Sequence, residues 1–163
     1  MENEARTQQI VSDVIGSVHE NRHPIVLTER REHAEIINNL LKESGIDSVV
    51  LKGAMNAAER KRVDEHIHSA QVIVATGKYV GEGFDLPRLD TLFLAMPIAW
   101  KGTLAQYAGR IHRESDGKTR VRIHDYVDCG LAMLQRMFNK REKSYKAMGY
   151  TLLSIARRIS QPE

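Results

Sequence analysis

The stretch "QVIVATG", residues 71–77, sets the fold. Val72, Ile73, Val74 and Ala75 run without polar alternation, and Thr76–Gly77 closes the run. An apolar run this short, rich in β-branched residues, reads as a strand buried on both faces. Runs of similar length stand at "PIVLT" (24–28), "DSVVLKG" (47–53), "LDTLFLAMP" (89–97) and "TRVRIHDYVD" (119–128). Helical spacing fills the intervals. Residues 4–20 place Ile10, Val14 and Ile15 on one side, and 31–44 carry Ala34, Ile37, Leu40 and Leu41 before Gly45 ends the pattern. Residues 57–68 read as an exposed helix, 102–113 as another, and 130–148 as a long one rich in Lys and Arg. Strands alternating with helices predict an α/β fold with a parallel sheet and right-handed crossovers. Ligands bind such sheets outside the carboxyl ends of the strands. Thr28, Lys52–Gly53, Thr76–Gly77 and Met96–Pro97 fall at those ends.

The bulk numbers narrow the class. With 163 residues, 42% hydrophobic and 28% charged, the chain fits one α/β domain that buries a core. A single domain over 1–163 is expected: an approach helix at 1–22, a core at 24–128, and a basic helix and tail at 129–163. No apolar run nears the ~18 residues of a membrane helix. The acidic N-terminus lacks a signal-peptide core, so a cytoplasmic protein without membrane contact is expected. Cys129 is the single cysteine, which excludes an internal disulfide. A net charge of +3 permits a polyanionic partner without requiring one. The seven histidines show no paired metal-ligand spacing, and no metal site is expected.

Three stretches bear on chemistry. "DGKTR" ends like a phosphate-binding P-loop at Gly117–Lys118–Thr119, but position 112 is His112 rather than glycine and β-branched residues follow. It reads as a turn into a strand. The chain has no other P-loop and no acidic pair placed at a strand end for magnesium, so alone it builds no ordinary nucleoside-triphosphate site. "VATGKYVGEGFDLP" (74–87) leaves a strand with the Thr76 hydroxyl and Gly77 amide free for a phosphate; Gly81 and Gly83 add backbone freedom beside Asp85. On its own it is also an ordinary glycine-rich turn. In "TLAQYAGRIHRES" (103–115), Gln106, Gly109, Arg110 and Arg113 share one helix side at offsets of three, four and seven. That side is either a solvated face or a surface for something highly negative, since the guanidinium fork suits phosphate oxygens.

Taken in order, "IVLTERREHAEIINNLL", "LKGAMNAAERK", "VIVATGKYVGEGFDLPRLDTLFLAMPIAWKG" and "QYAGRIHR" resemble the second RecA-like lobe of superfamily-2 helicases and translocases. The resemblance covers residues 24 to about 127. The "GEGFD" form and the tail "REKSYKAMGY" look closest to DNA-directed members, the helicase subunits of type I and III restriction systems and repair translocases. Gln at position 106, where DEAD-box RNA helicases have His, points the same way. The resemblance implies a three-layer α/β/α lobe with a RecA-like parallel sheet. It implies an ATP site with Mg2+ in the cleft against an N-terminal lobe that carries the P-loop and the magnesium-binding acids. Arg110 and Arg113 would meet the γ-phosphate and Gln106 would orient the attacking water or relay nucleotide state. Gly83, Asp85 and Gly109 would belong to the nucleotide side, with Asp85 facing the ribose or coupling the two sites. Thr76 and Gly77, with Arg30 and Lys52–Gly53 as weaker candidates, would touch the tracked strand. The partner implied is DNA, double-stranded or tracked as one strand. The chain alone is expected to lack ATPase activity and to hold no tightly bound cofactor. A stand-alone module that binds nucleic acid or a partner without chemistry is the alternative.

The helix at 134–148 admits two readings: it covers a DNA backbone, or it packs through Leu134, Met137, Phe138 and Tyr145 with its charges in water.

Overall fold

The computed structural model describes residues 4–76, 86–95, 111, 120–126 and 131–153. In chain order these form α1 (Glu4–His19), β1 (Pro24–Thr28), α2 (Arg31–Glu43), β2 (Ser48–Leu51), α3 (Ala57–His66), β3 (Val72–Thr76), β4 (Thr91–Leu94), β5 (Arg122–Asp125) and α4 (Ala132–Ala147). The strands make one sheet in the order β2-β3-β1-β4-β5, with every pairing parallel. The sequence places all five strands and these four helices; β1 matches its quoted run, and the other four strands are shorter than theirs. The 102–113 helix lies outside the described residues except for Ile111, which is helical and fully buried.

Chain direction fixes which helix covers which face. From β1 the chain moves outward to β2 and then steps back to β3. A right-handed crossover in each direction puts the two connecting helices on opposite faces. Accordingly α2 joins α1 over Val26, Val72, Val74 and Phe93, while Val63 and Ile67 at the end of α3 pack with Ile25, Leu27, Ile73 and Leu92 on the other face. Tyr145 and Met148 of α4 and Ile111 join the α3 side. Every residue of β1, β3 and β4 is buried, whereas β5 carries Arg122, His124 and Asp125 and is partly exposed. Such charges suit an edge strand and discourage further pairing.

Helix ends are set locally. Gly45, at a φ of 79°, ends α2 with its N–H on the Lys42 carbonyl and the Ile46 N–H on Leu41, both 3.0 Å. The same paired pattern closes α4 at Gly149, φ 87°, where Tyr150 returns its N–H to the Tyr145 carbonyl and sets its ring edge-on to Tyr145. Only glycine adopts this left-handed position without cost. α3 opens with a reciprocal cap: the Glu59 N–H donates to the Asn56 side chain at 2.8 Å, and the Glu59 carboxylate accepts from the Asn56 N–H at 3.1 Å.

Polar ties hold the amino edge of the sheet. Arg22 donates to the Thr91 hydroxyl at 2.7 Å and to the carbonyls of Asp90 and Arg120, while Asp90 accepts from the His23 N–H at 2.8 Å. Arg88 gives its guanidinium to the Ile67 and Ala70 carbonyls just past α3. At the carboxyl end of β5, Asp125 receives two N–H bonds from buried Arg141, at 2.7 and 2.9 Å, and the Tyr145 hydroxyl at 2.6 Å. Burial, then the charge of Asp125, pushes the Tyr145 hydroxyl far above the ordinary tyrosine range. Next to it in the sheet, His124 stacks on Phe93 with centroids 4.3 Å apart.

Arg141→Ala strands a buried carboxylate and lowers unfolding stability by about 3–5 kcal/mol. Lys146→Ala, which removes an exposed pair with Glu142, costs less than about 0.5 kcal/mol by urea titration. Burial also lowers the His124 pKa from its ordinary 6.5, against the partial opposition of Asp13. The unfolded chain therefore takes up that proton first as the medium acidifies. Stability is full above about pH 6.5 and falls below it, toward the lower folded value. The urea midpoint of His124→Phe, which keeps the stack, declines less between pH 7 and 5.5 than that of the parent.

Candidate functional site at the carboxyl edge of the sheet

The register sets Thr28 of β1 level with Thr76 of β3 at the carboxyl edge, on the face covered by α1 and α2. Both are buried. The Thr28 hydroxyl shares a 3.1 Å hydrogen bond with Nδ1 of His33, and Nε2 of the same ring meets the Thr7 hydroxyl at 3.1 Å. One buried imidazole thus ties the first turns of α1 and α2 to the tip of the central strand. The other end of α1 reaches the opposite rim, where Glu20 pairs with Arg122. The helix consequently runs antiparallel to the strands with its N-terminus at the ligand edge. There Arg6 donates to the Tyr126 carbonyl, and further along α1 the Tyr126 hydroxyl donates to Asp13 at 2.8 Å.

Beyond Thr28, Arg30 occupies the N-cap of α2 in extended conformation, exposed and without a side-chain cap to the helix. The positive end of the α2 dipole is directed to the same edge. Arg31 donates to the Gly53 carbonyl at 2.7 Å, and Lys52 pairs with Glu35 at 3.1 Å. The loops after β1 and β2 are thereby laced into one rim. In the second loop the left-handed residue is Ala54, at φ 57°, and not Gly53. A Cβ at Gly53 meets nothing within 4 Å. Neither chain conformation nor internal crowding requires glycine there.

Of the residues singled out from sequence, Thr76, Arg30, Lys52 and Gly53 gather at this edge. Gly77, Gly83, Asp85, Gln106, Gly109, Arg110 and Arg113 lie outside the described residues. Among the described residues no three His, Cys, Asp or Glu side chains come together as a metal site, and no helix is long and apolar enough to cross a membrane. His33 and Thr7 escaped the sequence reading, yet their signal was present. Position 33 continues the buried series 37 and 41 at intervals of four, and position 7 precedes 10, 11 and 14 at helical spacing. Polar residues on an apolar stripe are the mark to look for.

An all-parallel sheet in three layers, with hydroxyls and cations at its carboxyl edge, matches the architecture of a RecA-like helicase lobe. Residues 6–115 match the helicase conserved C-terminal domain, and the chain belongs to that family. It is similar to the transcript termination protein A18 of Fowlpox virus (strain NVSL), 26% identical over 135 residues that make up 81% of this chain and 29% of that protein. It is likewise similar to a putative ATP-dependent RNA helicase, QP509L, of African swine fever virus (isolate Pig/Kenya/KEN-50/1950), at 25% over 146 residues, 85% of this chain and 27% of that one. The chain therefore spans less than a third of these relatives. Among solved structures, T4 UvsW superposes with a TM-score of 0.69 at 17% identity, covering 88% of this chain and 32% of UvsW. The DEAD-box protein SrmB of E. coli gives 0.66 at 22%, covering 85% and 79%. At these identities both establish the fold alone. The chain carries a helicase C-terminal domain, and α1, which supplies Ile10, Val11 and Val14 to the core, falls largely within the family match.

Gly53→Ala is expected to leave the thermal unfolding midpoint unchanged or raise it slightly, since the added methyl meets open space and narrows the unfolded ensemble by about 0.4–1 kcal/mol. A drop of several degrees in a calorimetric scan would show that the rim is closed at this point.

Proposed function

We propose that this chain is the C-terminal motor lobe of an ATP-driven DNA translocase, completing an ATP site held mainly by a P-loop lobe. The observation that carries the reading is Gln106-x-x-Gly109-Arg110-x-x-Arg113, inside the family match and following β4. ATP with Mg2+ would be cradled by the other lobe, consistent with the lack of a P-loop in this sequence. Arg110 and Arg113 neutralise charge on the transferring phosphoryl group, an effect of about 10³–10⁵ in rate for such fingers. Gln106 orients the water, while Gly83, Asp85 and Gly109 line the nucleotide side. Thr76 and Gly77 contact a phosphate of the tracked strand, with Arg30, Lys52 and Gly53 extending that path along the rim. The buried hydrogen bonds of His33 support this assignment by fixing Thr28 beside Thr76. Closing the cleft on ATP and opening it after hydrolysis moves the two lobes' nucleic-acid contacts past one another. In isolation the chain turns over no ATP.

DNA is preferred on the "GEGFD" form and on Gln106, in a restriction or repair setting and in the cytoplasm. RNA is the second reading, favoured by the name of the African swine fever virus relative, a putative RNA helicase. Both are decided in the chain joined to its P-loop lobe. Arg110→Ala and Arg113→Ala each lower stimulated ATP turnover by about 10³-fold or more, with nucleic-acid affinity kept within about threefold. Unchanged turnover in both variants would remove the finger assignment. Stimulation of the parent by duplex DNA but not by RNA of the same sequence supports the first reading, and the reverse result supports the second.

A further inference from the structure

The basic excess of this chain is concentrated on one helix. Across α1, α2 and α3 acids match or outnumber the Lys and Arg residues, whereas α4 carries five cations against Glu142 alone. Two of the five are already engaged: Arg141 is buried on Asp125, and Lys146 pairs with Glu142. The remaining three, Arg136, Lys140 and Lys143, are exposed, and no ion pair or hydrogen bond engages their side chains among the described residues. Offsets of four and three put them on one stripe, which Met133, 59% exposed, continues toward the N-terminus. The buried side of α4 is centred elsewhere, on Arg141 and Tyr145, which fasten it to the sheet, with Ser144 at its border. Packing therefore accounts for one side of the helix and leaves the cationic side without a structural purpose. Three cations equal the formal net charge of the whole chain, +3.

We propose that the Arg136–Lys140–Lys143 stripe of α4 docks the phosphate backbone of a nucleic acid, at a place separate from the tracked strand. At 1.5 Å of rise per residue the three cations span about 10 Å. A duplex strand presents a phosphate about every 3.4 Å of axis, so the stripe faces two or three of them. Its position separates it from the rim described above. α4 is fastened through Asp125 to β5, the outer strand, whereas Thr76, Lys52 and Gly53 follow β3 and β2 on the opposite side of β1. Three strand spacings, about 14 Å, lie between β3 and β5. Asn139, beside the stripe, already accepts from the Gln135 amide at 3.1 Å, so the surface is dominated by cations that grip backbone rather than sequence. The inference rests on exposure and charge at α4 and is independent of Arg110, Arg113 and any nucleotide.

The test is equilibrium binding of the full 163-residue chain, without nucleotide, to a fluorescent 30-base-pair DNA duplex across a salt series. The parent binds with a negative log–log salt slope. Arg136→Ala/Lys140→Ala/Lys143→Ala weakens binding about 100-fold or more at 50 mM salt and makes the slope shallower by about two to three, whatever the duplex sequence. Arg136→Lys/Lys140→Arg/Lys143→Arg retains the parent's affinity. Should the alanine variant melt at lower temperature, Lys140→Glu alone gives the same reading through a loss of more than about tenfold. Affinity within threefold of the parent and an unchanged slope in the alanine variant would overturn the proposal, as would binding lost equally in the charge-retaining variant.

Discussion

Burial of β1 on both faces and both edges is the constraint on which the rest of the structure depends. Its flanking strands, β3 and β4, are reached by chain segments leaving in opposite directions. The chain first leaves β1 outward to β2 and then steps back to β3. Right-handed crossovers therefore lay α2 and α3 on opposite faces, which produces three layers and two separate apolar clusters. Sheets of this kind bind ligands outside the carboxyl ends of their strands, where Thr28 and Thr76 stand level.

The polar groups are arranged differently at the two rims of the sheet. At the amino rim Arg22, Asp90 and Thr91 satisfy one another and nearby carbonyls, closing the base of three strands. Arg88 does similar work beyond α3. At the carboxyl rim the polar groups are organised differently. Among the described residues, buried Thr7, Thr28, Thr76 and His33 lie beside a loop surface of Arg30, Arg31, Lys52 and Gly53, while at the end of β5 buried Arg141 holds Asp125. His33 joins Thr7 to Thr28 at this rim, because its ring accepts or donates on both nitrogens while lying on the apolar stripe of α2. A hydrophobic residue there would pack as well but would leave two buried hydroxyls unpartnered.

α4 shows how one helix serves both purposes. Its buried side holds Asp125 through Arg141 and Tyr145. The sequence reading assigned the packing to Leu134, Met137, Phe138 and Tyr145. Tyr145 is buried, but the other three are half-buried, and the anchor is the arginine that spacing alone had grouped with the solvated charges. An arginine enters a core only when a carboxylate meets it, and the Asp125 that meets Arg141 lies sixteen residues earlier in the chain.

What the sequence determined by itself is local in origin. Hydrophobic period and the glycine stop at Gly45 defined the elements, because each depends on residues within one or two turns. The ordered blocks ending in Gln106–Arg113 defined the family. The tertiary structure alone decided the strand order, the level pairing of Thr28 with Thr76, the bridge from Thr7 through His33, and the burial of Arg141. Each of these joins groups far apart in the chain, and no propensity or period encodes which distant partner will satisfy a buried polar group. That choice is made only when the layers close.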